Sequence, residues 1–174
     1  AVTDSLSVLC NRRYALPYIA RTIAEAASTG RPLTVMVADL DHFKKINDTL
    51  GHAAGDAVLR RVAATLRDTL RDDDLIARIG GEEFLIVLPD TPRERAKQVA
   101  RRLCKTVRTT PITVTGQNEP AHVTLSIGVS AVQLTGGDAL PDAETLIAQA
   151  DRALYGAKAG GRDTVSFCAT RPAA

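Results

Sequence analysis

An almost unbroken apolar run, LTVMVA at 33–38, leads directly into two aspartates, Asp39 and Asp41. Because a strand of this composition has no polar face, it must lie in the interior of a sheet that is covered on both sides. Amphipathic helices are predicted before and after it in the sequence, at 12–28 and 57–70. The chain is therefore predicted to have an α/β (α+β) fold, in which helices surround a central sheet.

The segment ARIGGEEFLIVLP, residues 77–89, predicts a β-hairpin because apolar runs flank a Gly-Gly pair. A hairpin would interrupt a doubly wound parallel sheet, so a mixed, mostly antiparallel sheet of the ferredoxin-like type is favoured. The other predicted elements are a short helix within 43–56, a helix over 93–106 that follows a capping box starting at Thr91, a strand at 122–132, a helix capped by Asp142, and a strand at 164–167.

Composition limits the classes of protein to which the chain can belong. With 174 residues, 45% hydrophobic and 24% charged, it is typical of one globular domain, and residues 1–174 are expected to be a piece of a larger protein. A net charge of +2 gives no reason to expect nucleic acid or a membrane as a partner. Cys10, Cys104 and Cys168 match neither a zinc spacing nor a disulfide framework, so reduced thiols and a cytoplasmic location are predicted.

Carboxylates at the end of the central strand and at the hairpin tip indicate a divalent-cation site. Glu82 and Glu83 repel each other and give a turn no structural advantage, whereas Mg²⁺ prefers carboxylate oxygens together with phosphate and water. Asp39, Glu82, Glu83 and the backbone carbonyl of Leu40 would supply such ligands. The alternative is that Asp39 and Asp41 cap the helix that follows them.

Polar residues in the stretch FKKINDTLGHAAGD (43–56) are candidates for nucleotide binding. Lys44 would hold a phosphate, and Asn47 with Asp56 would hydrogen-bond to a purine edge such as that of guanine. His52 is a further candidate in the same stretch. The alternatives are that Lys44 is a solvated helix lysine, that Asn47 belongs to a turn, and that Asp56 caps a helix starting at residue 57.

Two further charged stretches have both a structural and a functional interpretation. In YGAKAGGRD (155–163), Lys158 and Arg162 either satisfy the end of a helix or reach the terminal phosphates of a nucleotide. In RDDDL (71–75), Arg71 and Asp74 belong to a solvated charge run or to a specific site near the entry of the hairpin.

Four stretches together resemble the GGDEF family, the diguanylate cyclase catalytic domain. TDSLSVLCNRR (3–13) is similar to the opening segment of the family, DLDHFKKINDTLGHAAGD (39–56) to its nucleotide-binding segment, GGEEF (80–84) to its signature, and YGAKAGGRD (155–163) to its closing segment. The departures are few: Val8, Cys10, His42 and Asp163 replace residues that are more usual in the family. The resemblance implies a fold related to the nucleotidyl cyclase and polymerase palm.

The resemblance also implies an activity, the condensation of two GTP into cyclic di-GMP and two pyrophosphates, with two Mg²⁺ or Mn²⁺ ions and a homodimer with two-fold symmetry. The implied sites are a metal site (Asp39, Leu40, Glu82, Glu83), catalytic residues (Glu82, Glu83, Lys44), a guanine site (Asn47, His52, Asp56), a phosphate site (Phe43, Lys44, Lys158, Arg162), the signature turn (Gly80, Gly81) and an inhibitory product site (Arg71 and Asp74, completed by Arg101 or Arg102). The main alternative is a non-catalytic regulatory domain that binds GTP or cyclic di-GMP. A cyclase that makes another cyclic nucleotide would have the same fold and metals.

Overall fold

The structure, a computed structural model, describes residues 2–169, so the predicted domain of residues 1–174 extends beyond the described residues at both ends. Its strands are β1 (Cys10–Asn11), β2 (Pro32–Leu40), β3 (Leu75–Arg78), β4 (Glu83–Pro89), β5 (Leu125–Gln133) and β6 (Val165–Phe167). Its helices are α1 (Arg12–Thr29), α2 (Phe43–Leu50), α3 (His52–Thr69), α4 (Arg93–Thr109) and α5 (Ala143–Ala159). No helix of the described chain is long and apolar enough to cross a membrane.

The strands form one mixed sheet in the order β1-β3-β4-β2-β5-β6, with the apolar strand β2 in its interior. The pairs β3–β4, β4–β2 and β2–β5 are antiparallel, whereas the two edge pairs, β1–β3 and β5–β6, are parallel. This confirms the predicted α/β class and the mostly antiparallel sheet, including the β3–β4 hairpin. Strand β1 is additional to the predicted elements, because two residues are too few to produce a periodic pattern.

Helices cover both faces of the sheet, as the apolar run of β2 requires. Alternate residues of β2 point to opposite sides, so that Met36 lies in one core and Val35 in the other. Helices α2, α3 and α4 pack on the first face, and α1 and α5 pack on the second. Helix α5 approaches β5 closely because Gly128 has no side chain; a Cβ there would overlap the backbone of α5. The sheet is therefore fixed from both sides, and its strand ends are held firmly.

Three local predictions were wrong in their boundaries or caps. Helix α3 begins at His52 rather than residue 57, so Asp56 lies inside the helix and does not cap it. The strand predicted at 122–132 begins only at Leu125. Thr91 forms no capping box, because Pro92 is the N-cap of α4 without a side-chain cap, and the Thr91 hydroxyl donates to the carbonyl oxygen of Pro89 instead.

Candidate active site

The register of the sheet brings the end of β2 to the hairpin turn. Asp39 is the antiparallel partner of Glu83, the first residue of β4, and its other neighbour in the sheet is Ser126 of β5. The backbone N–H of Leu40 donates to the carbonyl oxygen of Glu82 at 3.2 Å. Side chains of paired residues lie on the same face of a sheet. The structure therefore places the carboxylates of Asp39 and Glu83 side by side, with Glu82 one residue away in the turn.

Lys158 on the last turn of α5 is the cation that meets these carboxylates. Its Nζ lies 2.9 Å from Asp39 Oδ2, and the Asp39 side chain is 9% exposed. Burial raises the pKa of Asp39 to about 6, with Glu82 and Glu83 adding to the effect and Lys158 opposing it. Burial also raises the pKa of Glu83, and the negative charge of Asp151 on α5 raises it further. The site therefore contains more negative charge than its single close lysine balances.

This donor set fits a divalent cation. Carboxylate oxygens are the ligands that Mg²⁺ and Mn²⁺ prefer, and the raised pKa values show that Asp39 and Glu83 would be stabilised in their ionised form by added positive charge. In the described part of the chain, no three His, Cys, Asp or Glu side chains converge into a ready-made metal cluster. The carboxylates of Asp39, Glu82 and Glu83 are thus adjacent without forming a complete protein cage, which suits a cation that keeps water or phosphate among its ligands.

The signature turn is held by an arginine that the sequence analysis did not select. Arg78, at the end of β3, donates from Nε and Nη2 to the carbonyl oxygen of Gly81 at 3.1 and 2.8 Å. Its Nη1 donates to both oxygens of Asp4 at 3.1 and 3.3 Å, so the segment before β1 is fastened to the turn. An arginine at a strand end gives no sequence signal that distinguishes such a bridge from a solvated charge.

Neither glycine of the turn has a positive φ, so the backbone conformation alone does not require them. A Cβ at Gly80 would lie 2.9 Å from Glu83 Oε2, which means that Gly80 leaves room for that carboxylate. A Cβ at Gly81 would meet nothing within 4 Å. The folded domain therefore gives no steric reason for Gly81, and the role of the signature turn in binding a ligand stays a prediction.

Helices α2 and α3 bring the predicted nucleotide-binding residues to one end of the sheet. Lys44 is exposed in the first turn of α2, whereas the Phe43 side chain is buried in the core and leaves only its backbone for a phosphate. Asn47 lies on α2 rather than in a turn, and its amide packs against Gly55 of α3, where a Cβ would overlap it. His52 and Asp56 are exposed one turn apart on α3.

Asp41 does not cap α2, and neither does Asp39. The N-cap of α2 is His42, in a left-handed conformation with φ 56° and without a side-chain cap. Asp41 is buried and accepts hydrogen bonds from the hydroxyls of Thr124 and Ser126 and from the backbone N–H of Asp163. The helix-cap interpretation of both aspartates is therefore wrong, and Asp41 connects β2, β5 and the segment after α5.

Arg71 and Asp74 form a specific contact rather than a solvated charge run. The Asp74 side chain is 3% exposed, and Arg71 Nη2 donates to its Oδ1 at 3.1 Å. The same Nη2 lies 3.1 Å from the carbonyl oxygen of Pro89 and from Thr91 Oγ1, so Arg71 joins the α3–β3 loop to the β4–α4 loop. A small cleft at this position is also lined by Arg95 and Arg102 of α4. Arg101, which was assigned to this site from the sequence, is exposed on α4 but is not one of the residues that line the cleft.

Comparison with known proteins gives the same assignment over nearly the whole chain. The family model described as diguanylate cyclase, GGDEF domain, matches residues 1–164. The chain is 44% identical over 165 residues to the response regulator PleD of Caulobacter vibrioides and 42% identical over 163 residues to the diguanylate cyclase DgcP of Pseudomonas aeruginosa. These matches include 95% and 94% of this chain but only 36% of PleD and 23% of DgcP. The chain thus corresponds to a minor part of these relatives.

Solved structures agree in fold. The GGDEF domain of DgcB from Caulobacter crescentus, in complex with c-di-GMP, superposes with a TM-score of 0.88 at 31% identity, covering 97% of this chain and 94% of that one. The active GGEEF domain of a diguanylate cyclase from Vibrio cholerae superposes with a TM-score of 0.82 at 33% identity, covering 94% and 99%. With the carboxylates, the signature turn and helices α2 and α3 in the arrangement described above, the chain belongs to the GGDEF domain family.

Proposed function

We propose that this domain is a diguanylate cyclase, which condenses two GTP into cyclic di-GMP and two pyrophosphates. The observation that carries the proposal is the placement of Asp39 opposite Glu83, with Glu82 beside them and the pKa of Asp39 raised to about 6. Such an excess of carboxylates at a buried strand end is stabilised by a divalent cation and its phosphate ligands. Two relatives, DgcP at 42% identity and DosC of Escherichia coli at 40% identity, are named diguanylate cyclases.

In this proposal, Asp39, Glu82, Glu83 and the carbonyl of Leu40 hold two Mg²⁺ or Mn²⁺ ions. Bound there, the metal ions lower the pKa of the attacking 3′-hydroxyl and neutralise charge on the departing pyrophosphate. Glu82 is the residue to which we assign acceptance of the 3′-hydroxyl proton, because it lies at the tip of the turn and is only half-buried.

The substrate lies between two groups of residues at the same end of the sheet. Asn47 accepts from and donates to the guanine edge, and Asp56 accepts from its N1–H and 2-amino groups, with His52 beside them. On the other side, Lys44, Lys158, Arg162 and the first backbone N–H groups of α2 hold the triphosphate, since helix N-termini and ammonium groups attract phosphate. Lys158, whose Nζ lies 2.9 Å from Asp39 Oδ2, would be available to the phosphates if the charge of Asp39 were balanced by a metal ion.

The proposed reaction needs two domains. The described chain contains one such set of carboxylates and one set of guanine-binding residues, whereas the product contains two guanosines joined by two new phosphodiester bonds. Two domains facing each other with two-fold symmetry would each supply one GTP. Cyclic di-GMP also binds, in this proposal, at the separate cleft around Arg71 and Asp74 and inhibits its own synthesis.

The test is to incubate the protein with GTP and Mg²⁺ and to identify the product by mass spectrometry. Glu82→Ala and Glu83→Ala are expected to abolish turnover with an unchanged thermal unfolding midpoint, because both residues lie at the turn and outside the apolar cores. Glu119→Ala, in the exposed loop after α4, is the matched control and keeps full activity. Binding of GTP or cyclic di-GMP without any turnover, even after fusion to a dimeric coiled coil, would identify a non-catalytic regulatory domain instead.

A further inference from the structure

Asp41 is a buried carboxylate that the proposed chemistry does not use. It lies two residues after Asp39 and is 4% exposed. Its Oδ1 accepts from the Ser126 hydroxyl at 2.7 Å, and its Oδ2 accepts from the Thr124 hydroxyl at 2.7 Å and from the backbone N–H of Asp163 at 2.9 Å. The two hydroxyls on the β5 side therefore orient the carboxylate, and the carboxylate in turn holds the segment that contains Asp163.

The segment that Asp41 holds has an unfavourable backbone conformation. Gly161, Arg162 and Asp163 have φ values of 114°, 65° and 47°, so two successive residues with side chains are left-handed. Such residues persist only where their surroundings determine the conformation. Within the turn, the Gly161 N–H donates to the carbonyl oxygen of Lys158 at 3.4 Å and the Arg162 N–H to that of Ala157 at 3.1 Å, while Asp163 forms an ion pair with Arg108. Directly after the turn, the carbonyl oxygen of Thr164 accepts from the Ile127 N–H of β5 at 2.9 Å.

The hydrogen bond to Asp41 is the buried member of this set of contacts. The Arg108 side chain in the ion pair is 45% exposed and that of Asp163 is 30% exposed, so solvent weakens their attraction. The Asp41 carboxylate is shielded, its backbone N–H donates to the carbonyl oxygen of Thr124 at 3.0 Å, and both its oxygens are engaged. Removing this acceptor therefore leaves the Asp163 amide without its buried partner. The left-handed pair Arg162–Asp163 is then held by the backbone bonds on either side of it and by the solvent-exposed ion pair.

We propose that Asp41 is a positioning residue: it fixes the turn that carries Arg162 at a set distance from Asp39 and Glu83. The connection is short, because Asp39 and Asp41 are on the same strand end and Asp163 follows Arg162 directly. The hydroxyls of Thr124 and Ser126 on the β5 side keep the carboxylate pointing toward the turn. This inference rests on the proposed function, in which Arg162 binds the triphosphate and Asp39 belongs to the metal site.

A direct readout is hydrogen exchange of the Asp163 amide, measured by NMR on the protein without nucleotide. Asp41→Ala is expected to accelerate exchange at Asp163 selectively, while amides in the centre of β2 keep their protection. Asp41→Asn retains one oxygen that can accept from Asp163, so its exchange rate should lie between those of the Ala variant and the wild type. Ser130→Ala is the control, because it removes another buried hydroxyl of β5, which bonds to Gln149, and leaves all the donors to Asp41 in place. Unchanged exchange at Asp163 in both Asp41 variants would overturn the proposal.

Kinetics separate positioning from simple stabilisation of the fold. Asp41→Ala should raise KM for GTP by about tenfold, the low end for losing one hydrogen bond to a charged group, with kcat changed far less. Asp41→Asn should recover most of this loss, and Ser130→Ala should stay near the wild-type KM. If the Asp41 variants instead yield less active protein but keep the wild-type KM, Asp41 only supports folding. If the Ala variant does not fold, the Asn variant decides by the same two measurements.

A double-mutant cycle shows whether Asp41 acts through Arg162. Arg162→Ala should itself raise KM, and adding Asp41→Ala to it should raise KM no further. Independent, multiplying effects of the two substitutions would contradict the proposal. A wild-type protein that makes no cyclic di-GMP would instead refute the proposed function, and the exchange measurement at Asp163 would still test the contact by itself.

Discussion

Asp39 shows how the protein keeps a carboxylate ionised at an electrostatic cost. The residue is 6% exposed and shares its surroundings with Glu82 and Glu83, so burial and like charge both oppose its ionisation. Lys158 at 2.9 Å offsets only part of this cost, since the pKa stays near 6. A metal ion would remove the remainder, which couples cation binding to the stability of the strand end.

The first prediction concerns the substitution Asp39→Asn in the metal-free protein. Because the pKa of Asp39 is raised, its contribution to stability is fully present below pH 4 and is lost as the pH rises through about 6. At pH 8 the Asn variant should therefore be more stable than the wild type by about 1–2 kcal/mol, or a few degrees in Tm. Thermal unfolding in EDTA at pH 4 and pH 8 measures this difference, which should disappear at the lower pH.

The same variant has a matched expectation with metal. Mg²⁺ together with GTP should raise the Tm of the wild type and not that of Asp39→Asn, because a ligand stabilises only the state that binds it. Ser130→Ala, which removes a buried hydroxyl of β5 that bonds to Gln149, keeps the wild-type response. A lower Tm for Asp39→Asn at pH 8 would show that the Lys158 ion pair outweighs burial, contrary to the raised pKa.

The second prediction concerns the two glycines of the signature turn. Gly81→Ala should leave Tm nearly unchanged, since a Cβ there meets open space and the φ angle is ordinary. It should still raise KM for GTP if the nucleotide approaches this backbone closely. Gly80→Ala should act differently, because its Cβ would lie only 2.9 Å from Glu83 Oε2. The Glu83 carboxylate would have to move, and kcat should fall. Steady-state kinetics and thermal unfolding of both variants check this, and an unaltered KM in Gly81→Ala would contradict it.

Residue types and spacing were enough to predict the carboxylates of the candidate site, but not the partners that hold it together. Asp41 was interpreted as a possible helix cap because a helix follows it directly, whereas its acceptors face Thr124, Ser126 and Asp163, more than 80 residues further along the chain. Arg78 was not selected at all. Contacts between residues distant in sequence leave no local pattern, so they are visible only in the folded structure.

At the scale of elements, the order of helices and strands followed from hydrophobic periodicity, because long amphipathic segments leave little choice of conformation. The errors lie where a local signal competes with tertiary contacts. Thr91 resembles the first residue of a capping box, yet its hydroxyl is 2.9 Å from the carbonyl oxygen of Pro89 and also accepts from Arg71. Arg71, twenty residues earlier in the sequence, thus takes the place of the helix N–H group that a capping box would use.

The third prediction concerns the cleft between the α3–β3 loop and α4. Arg102 lines this cleft and Arg101 does not, although the two residues are adjacent and both exposed on α4. If cyclic di-GMP binds there, Arg102→Ala should weaken its binding about tenfold, as expected for losing one charged contact. Arg101→Ala is the matched control with the same change of charge and should bind as the wild type. Calorimetry with cyclic di-GMP measures both.

Arg71→Ala should combine two effects at the same cleft. It should relieve inhibition by the product while leaving the initial rate nearly intact. It should also lower Tm, because the buried Asp74 carboxylate loses its guanidinium partner and keeps only the backbone N–H of Arg71 at 2.9 Å. Cyclic di-GMP binding by Arg71→Ala equal to that of the wild type, with equal binding by Arg102→Ala, would place the product elsewhere.

At the scale of the whole molecule, the domain presents its functional groups at one end of a rigid sheet. The β2 end, the hairpin turn, the start of α2 and the end of α5 all meet there, and helices on both faces leave this end accessible. A site at one end of a domain can face a second copy without any change of fold. The proposed reaction therefore depends on how two domains meet.

The last prediction follows from this geometry. If each domain supplies one GTP, the rate per domain at saturating GTP should rise in proportion to protein concentration while monomers dominate and level off when dimers do. Fusion to a parallel dimeric coiled coil should remove the concentration dependence and give the plateau rate at every dilution, whereas the fused Glu83→Ala variant stays inactive. Initial rates over a hundredfold dilution, with sedimentation analysis of the same samples, compare rate with oligomeric state. A rate per domain that stays constant in samples that sediment as monomers would show that one domain completes the reaction alone. In a two-domain mechanism, dilution separates the two domains and their bound GTP, so the rate per domain must fall.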